Sequence, residues 1–191
     1  LRLGACLSFG KSIVTLALIK LDTQPLKREW YTIFDNHRST VSGINSIAAK
    51  VIRKYYINTN LLIVSQSVYH QWVQHAKISK LKVLGVETNV DFRSLCILFI
   101  NDRTKLEEYD IILMIYRHLP DISLPFGASK HIPNYDKRTT INVLSLLSMN
   151  TEWKRVIIDD YDTINIGHDM CIPARITWLI STTKSCGGAR Y

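Results

Sequence analysis

Short apolar runs separated by polar stretches dominate the hydrophobic pattern of the chain. Runs of this length, without alternating polar positions, are typical of strands that are buried on both faces of a parallel sheet. The pattern therefore predicts strands at Leu61–Val64, Lys82–Gly85, Leu95–Ile100, Asp110–Tyr116, Arg155–Asp159 and Ile176–Ile180.

Helical segments are predicted between these strands. They are residues 12–21, a helix within 44–56, a helix that begins at Ser67, a polar helical turn at Arg103–Glu108 and a short apolar helix at Asn142–Met149. Because strands alternate with helices, we expect an α/β fold with a mostly parallel central sheet and helices on both faces. Trp72, Trp153 and Trp178 are expected to anchor the core or the surface rather than to stack on a ligand.

Two polar segments interrupt this alternation, at residues 22–45 and 119–140. Both are predicted to be insertions or loops, and the second is not expected to add to the core because it carries three prolines, Pro120, Pro125 and Pro133. The sequence has no repeat and no second hydrophobic core, so residues 1–191 are predicted to be one domain. Since the chain begins almost inside a candidate ligand-binding loop, we expect it to be a piece of a longer polypeptide.

The net charge of the chain indicates which kinds of molecule it could bind. The 24 Lys and Arg residues against 16 Asp and Glu give a net charge of +8, which favours a polyanion such as a nucleotide, nucleic acid or an acidic membrane face. The four cysteines lack zinc-ligand spacing and are expected to be reduced, as in an intracellular compartment. No apolar run reaches the ~18 residues of a membrane span, so we expect no membrane partner.

The segment Gly4–Ser12 is typical of a phosphate-binding loop, because it leads directly into the apolar helix predicted at 12–21. Gly10 would let the backbone turn tightly and approach a phosphate. Lys11 could reach the outer phosphates, and the Ser12 hydroxyl could bind a magnesium ion. The N-terminus of the following helix would present N–H groups to the anion.

The strand predicted at Arg155–Asp159 ends in acidic residues, and strand ends are where ligands gather in open α/β sheets. Asp159 could hold magnesium opposite Ser12, and Asp160 could orient a water molecule. Ser181–Thr183 follow the last strand and could sense the γ-phosphate. A solvated turn at the acids and a helix cap at Ser181–Thr183 are the alternatives for each segment taken singly.

Five segments, taken in order, resemble the first RecA-like lobe of superfamily-2 helicases, specifically the Swi/Snf-type chromatin-remodelling ATPases. The first is similar to the family motif Ala-Asp-Glu-Met-Gly-Leu-Gly-Lys-Thr, and the fourth to Trp-x-Arg-Val-Ile-Leu-Asp-Glu-Ala-His. The segments are Leu3–Ile19, Leu62–Trp72, Tyr109–Tyr116, Trp153–Ile164 and Ala174–Thr183.

This resemblance implies a three-layer RecA-like P-loop domain, the N-terminal ATP-binding lobe of a motor that moves along double-stranded DNA. Lys11 would bind the β- and γ-phosphates of ATP, and Ser12 and Asp159 would bind Mg²⁺. Asp160 would position the attacking water molecule, so that Asp160 and Lys11 would be the catalytic residues. Ser67, Gln71 and Tyr116 would lie near the nucleic-acid backbone. Arg117 is added as a phosphate contact because of its charge and position.

Several positions depart from the family pattern. Asp160 stands where the family has its catalytic glutamate, Ser8 replaces a glycine and Cys6 replaces an acid. A carboxylate that is one methylene shorter matters when positioning supplies most of the catalysis. These departures indicate a weakened or lost ATPase whose fold is retained.

The sequence thus leaves two main hypotheses and one minor alternative. The first is the ATP-binding lobe of a Swi/Snf-like translocase that acts in chromatin remodelling, transcription or DNA repair, in a nucleus or a viral replication compartment. The second is a catalytically impaired, helicase-like scaffold that binds DNA or protein partners. The third, a P-loop nucleotide kinase, leaves Gln71 and Trp72 unexplained. Because the second RecA-like lobe is missing, we expect the 191 residues alone to hydrolyse ATP negligibly.

Overall fold

A computed structural model of the chain describes residues 2–4, 10–22, 55–116, 121–123, 140–148, 151–164 and 172–181. The strands are β1 (Arg2–Gly4), β2 (Tyr55–Val64), β3 (Val83–Val86), β4 (Ile111–Ile115), β5 (Asp121–Ser123), β6 (Thr140–Asn142), β7 (Thr151–Asp159) and β8 (Ala174–Ser181). The helices are α1 (Lys11–Leu21), α2 (Gln66–Ile78), α3 (Asn89–Asn101) and α4 (Val143–Ser148), with a 3-10 helix at Arg103–Glu108.

Among the described residues, six strands form one sheet in the order β1-β8-β7-β2-β4-β3, and all of its pairings are parallel. Strands β5 and β6 pair separately and antiparallel. Because the six strands run in the same direction, their carboxyl ends lie along one edge of the sheet. Strand β8 lies between β1, which precedes the candidate phosphate loop, and β7, which ends in the acidic residues.

Alternate side chains of the sheet enter two separate cores. On one face, Leu61 and Ile63 of β2 join a cluster that contains residues of α3 and α4. On the other face, Leu62 and Val64 join a cluster that contains residues of α1 and α2. This is the alternation expected of strands covered on both faces. The predicted α/β class, with a parallel central sheet between two layers of helices, is confirmed.

The strand predicted at Leu95–Ile100 is wrong, because these residues lie in helix α3. The buried side chains of this helix are Phe92, Leu95, Cys96 and Phe99, which have the helical spacing of i, i+3, i+4 and i+7. A capping box at Thr88 and Asp91 begins the helix. The neighbouring apolar residues pack partly against the same core and make the run look continuous, which hides the helical period.

Strand β2 also begins earlier than predicted, at Tyr55, so the helix predicted within 44–56 cannot include its last two residues. Its other residues lie outside the described part of the chain, as does most of the polar segment 22–45. Thr59 and Asn60 are polar yet buried, because Thr59 Oγ1 donates to the Leu106 carbonyl at 2.7 Å and Asn60 Nδ2 to the Asp110 carbonyl at 2.7 Å. These bonds let polar residues extend a buried strand.

The remaining predicted elements agree with the structure within a few residues: the helices at 12–21 and from Ser67, the turn at 103–108, the helix at 142–149 and the other strands. In the segment 119–140, predicted to be a loop, the structure describes β5 and the first residue of β6. Trp72, Trp153 and Trp178 are buried, as predicted.

Two basic residues in the middle of β7 fix the C-terminal end of α1. The Arg155 guanidinium, whose side chain is 3% exposed, pairs with the Asp22 carboxylate at the end of that helix. Lys154 Nζ donates to the Asp22 carbonyl at 2.8 Å. A cation suits a helix C-terminus, where the helix dipole is negative. Helix α1 is therefore held at the end opposite to its candidate ligand-binding turn.

Helix α2 packs closely on β3 at Gly85, where a larger residue would require Tyr69 to shift. A Cβ added to Gly85 would lie 2.6 Å from the Tyr69 hydroxyl oxygen. We predict that Gly85→Ala lowers the free energy of unfolding by about 1–3 kcal/mol through overpacking. Denaturant unfolding checks this, with Tyr69→Phe as the control. The double variant should recover most of the loss, and a loss that Tyr69→Phe leaves unchanged would contradict the contact.

Candidate functional site

A cleft of about 500 Å³ opens where α1 begins, at the carboxyl edge of the sheet. It is lined by the first turn of α1 (Gly10, Lys11, Ser12 and Ile13), by one face of α2 (Val68, Gln71, Trp72 and His75) and by the end of β7 (Asp159 and Asp160). The residues predicted to bind nucleotide and metal, which are distant in sequence, therefore line one cleft.

Gly10 begins α1 in the left-handed conformation, with φ 62° and ψ 11°. A Cβ at this position would meet no atom within 4 Å, so the backbone angle rather than crowding favours glycine. Gly10 is the N-cap residue and has no side chain to cap the helix. The first turn therefore presents N–H groups and the positive end of the helix dipole to the cleft, as an anion site requires.

Lys11 connects α1 to the sheet edge. Its Nζ donates to the carbonyl oxygen of Ser181, the last residue of β8, at 3.2 Å. The same ammonium group is close enough to Asp159 to lower the pKa of that carboxyl. Ser181 is the first residue of the segment Ser181–Thr183 that was predicted to sense a phosphate, and Thr182 and Thr183 lie outside the described residues.

Asp159 is 7% exposed, and both of its carboxylate oxygens have a donor within the protein. Trp72 Nε1 donates to Oδ2 at 2.7 Å, and the Asp160 backbone N–H donates to Oδ1 at 3.1 Å. Burial raises the pKa of Asp159, and the charge of Asp160 raises it further, while the Trp72 bond and Lys11 oppose this shift. The net effect is a raised pKa, so the ionised form of this carboxylate destabilises the folded state.

Ser12 has a partner that the sequence did not indicate. Its Oγ lies 2.8 Å from Nδ1 of His75 on helix α2. The sequence signal for His75 was weak: it lies three residues after Trp72, on the same helix face, but nothing local connects it with α1. His75 is thus a cleft residue that sequence reasoning missed, and Trp72 was expected only to anchor.

Asp160 has a left-handed backbone, with φ 53°. Its carbonyl accepts hydrogen bonds from the backbone N–H groups of Thr163 at 2.8 Å and Ile164 at 3.2 Å, which closes a turn directly after β7. Among residues other than glycine, aspartate and asparagine adopt this conformation most readily. The turn therefore gives a backbone reason for a short acid at the position where the resemblance implies glutamate.

The residues predicted to contact nucleic acid are placed differently from one another. Ser67 is exposed in the first turn of α2, with its hydroxyl 2.8 Å from the Ser65 hydroxyl, whereas Gln71 lines the cleft. Tyr116 follows β4 and packs partly against the core on the α3 side. Arg117 lies outside the described residues. Ser67 and Tyr116 thus lie beside the ends of neighbouring strands, while Gln71 lines the same cleft as Lys11 and Ser12.

The cleft residues fit Mg²⁺ bound together with a phosphate group. Magnesium takes one or two carboxylates, retains water and uses substrate phosphates rather than a cage of protein ligands. Asp159 and the Ser12 hydroxyl offer such a partial set, and each carboxylate oxygen has further acceptor capacity beyond its one donor. Within the described ranges, no three His, Cys, Asp or Glu side chains group as a metal cage.

Two other observations concern the chemistry outside the cleft. Cys96 is a free thiol in the core, and burial raises its pKa to about 12, so it is not a nucleophile. Among the helices that the structure describes, none is long and apolar enough to cross a membrane.

The raised pKa of Asp159 predicts a stability effect with a defined sign. Above the folded pKa, the buried carboxylate is ionised and destabilises the fold; below the ordinary value of 3.8, it is protonated in both states. We therefore expect the unfolding temperature of Asp159→Asn, measured relative to that of the wild type, to rise as the pH increases from 3.8 to 7.

Asp91→Asn is the matched control for thermal unfolding across this pH range. Hydrogen bonds from the Thr88 backbone N–H and hydroxyl lower the pKa of Asp91, so its ionised form stabilises the helix cap. Relative to the wild type, the unfolding temperature of this variant should fall as the pH increases over the same range, which is the opposite sign. A relative unfolding temperature of Asp159→Asn that falls as the pH increases would contradict the assignment.

Comparison with known proteins finds similarity to solved structures but none to family models or curated sequences. No protein-family model matches the chain, and no curated protein sequence matches it. Among solved structures, the chain is similar to the Sulfolobus solfataricus SWI2/SNF2 ATPase core in complex with dsDNA, with 17% identity and a TM-score of 0.47. The match covers 95% of this chain and 27% of that chain. The chain thus spans about a quarter of a protein that it resembles in structure.

Proposed function

We propose that the chain is the N-terminal, ATP-binding lobe of a Swi/Snf-like DNA-dependent ATPase or translocase. The observation that supports this most is the convergence in one cleft of a glycine-initiated helix N-terminus, the Lys11 ammonium and the buried Asp159 carboxylate. An anion site beside a cation-binding carboxylate is the combination that a magnesium–nucleotide complex needs.

Each cleft residue would have a separate role in binding the nucleotide and the metal ion. Gly10 and the first N–H groups of α1 would cradle a phosphate, and Lys11 would neutralise the outer phosphates. Ser12 and Asp159 would hold Mg²⁺, which supplies charge neutralisation at the phosphates when bound. Asp160, which lines the same cleft, would orient the attacking water molecule.

The side chains of Lys11 and Ser12 already have hydrogen-bond partners within the protein. Lys11 Nζ donates a hydrogen bond to the Ser181 carbonyl, and Ser12 Oγ is hydrogen-bonded to Nδ1 of His75. Nucleotide binding would exchange these partners for phosphate and metal. Such an exchange lowers the net affinity, because each protein bond that is broken opposes the bond that is gained.

The same observation favours the second candidate, an impaired scaffold that binds DNA or protein. Lys11 and Ser12 already have partners within the protein, and the turn at Asp160 favours the shorter acid. In either case, a second RecA-like lobe would complete the site electrostatically, so we expect negligible hydrolysis from these 191 residues alone.

Double-stranded DNA is the proposed macromolecular partner. Ser67 and Tyr116 follow neighbouring strands at the carboxyl edge of the sheet, and the chain carries a net charge of +8. Arg117, the next residue in the sequence, remains a predicted phosphate contact. Contacts to phosphates would supply most of the affinity and would weaken as salt rises. A second RecA-like lobe and protein partners would complete the assembly.

Lys11→Ala is the test of the proposed site. Loss of its charge-assisted bonds should weaken Mg-ATP binding by about 10-fold to 100-fold, as measured by calorimetry or a fluorescent ATP analogue. Lys20→Ala is the matched control, since Lys20 lies on the same helix with its Nζ on the Ser79 carbonyl at 3.0 Å, and its substitution should leave the affinity unchanged.

The outcomes separate the two candidates. A wild-type chain that binds no ATP, yet binds double-stranded DNA with salt-dependent affinity, would reject the ATPase lobe and support the scaffold. If the affinity for Mg-ATP falls equally in Lys11→Ala and Lys20→Ala, ATP binds through the net positive charge of the chain and not at the proposed site.

A further inference from the structure

The indole of Trp72 makes an unusual contact for a core residue. Trp72 is 2% exposed, and its Nε1–H donates to Asp159 Oδ2 at 2.7 Å, a bond in which both groups are buried. A buried tryptophan needs an acceptor for its N–H group. Here the acceptor is the carboxylate that would bind the metal ion.

A carboxylate is not needed merely to satisfy a buried indole. On the opposite face of the sheet, Trp153 is fully buried, and its Nε1–H donates to the Leu147 carbonyl at 3.0 Å. A backbone carbonyl there meets the same requirement without burying a charge. The indole alone therefore does not explain why the acceptor at Trp72 is a carboxylate, and we consider the role of Asp159 instead.

Helix α2 contacts both candidate metal-binding groups. Trp72 bonds to Asp159, and His75, three residues later, lies 2.8 Å from the Ser12 hydroxyl. Residues three apart lie on the same face of a helix, so one rigid element touches the β7 group and the α1 group together. The backbone N–H of Asp160, which donates to Asp159 Oδ1, is a second fixed donor to the carboxylate.

We propose that Trp72 is a positioning residue for metal binding: its indole N–H fixes the orientation in which the Asp159 carboxylate accepts Mg²⁺. Groups that hydrogen-bond to metal ligands orient them, and their loss costs roughly 10-fold to 100-fold in metal affinity or activity. This inference rests on the proposed function, because it concerns the same cleft and the same ion.

Trp72→Phe tests the proposal, because it removes the N–H group and retains an aromatic ring. The measured quantity is the ratio of ATP affinity with Mg²⁺ to ATP affinity without it. We expect this ratio to fall by about tenfold, while the Mg-free affinity changes by less than about twofold.

Trp153→Phe is the matched control, since it removes an equally buried indole whose bond lies outside the cleft. A merely structural role for Trp72 would lower both affinities together or affect both variants alike. A Trp72→Phe ratio equal to that of the wild type would overturn the proposal.

A second measurement needs no destabilising variant. In ¹⁵N-labelled wild-type protein, the Trp72 indole resonance should shift when Mg²⁺ is added to the ATP-bound chain, and the Trp153 indole resonance should not. If neither resonance responds while Mg²⁺ strengthens ATP binding, Trp72 is not coupled to the metal. If the wild type binds no ATP under either condition, the proposed function itself fails, and the inference fails with it.

Discussion

Burial of strand β2 on both faces is the constraint on which the rest of the structure depends. Every residue from Thr59 to Val64 is buried, and the strand pairs with β7 on one side and β4 on the other. Alternate side chains must therefore find two separate apolar layers, which α1 and α2 supply on one face and α3 and α4 on the other. With all strands of this sheet parallel, one edge collects their carboxyl ends, and the polar residues that follow them are brought together there.

The cleft at this edge is a compromise between stability and chemistry. Its carboxylate, hydroxyl and ammonium groups have hydrogen-bond partners within the protein, as the bonds of Asp159, Ser12 and Lys11 show. Burial nevertheless raises the pKa of Asp159, so the fold retains a charge that it would be more stable without. Groups held in this way are typical of functional sites, where positioning is prepared in advance of binding.

The parts of the structure that local sequence could predict are those governed by local physics. Leu61–Val64 and the strand of residues 111–115 are continuous apolar runs because both of their faces are buried, and Gly10, Lys11 and Ser12 are adjacent in sequence. Helix α3 was mistaken for a strand because apolar neighbours filled the gaps in its period. The strand order and the Ser12–His75 contact, between residues 63 apart, come from the packing of distant elements, on which local patterns carry no information.

The central claim is that the N-terminus of α1 and the end of β7 form one phosphate and metal site. Backbone ¹H–¹⁵N spectra of the chain, titrated with Mg-ATP, test this most directly. The account predicts that the amide resonances of Gly10, Lys11 and Ser12 shift together with those of Asp159 and Asp160, at the same ATP concentration. Saturable shifts confined to other parts of the chain, with these five amides unmoved, would contradict it.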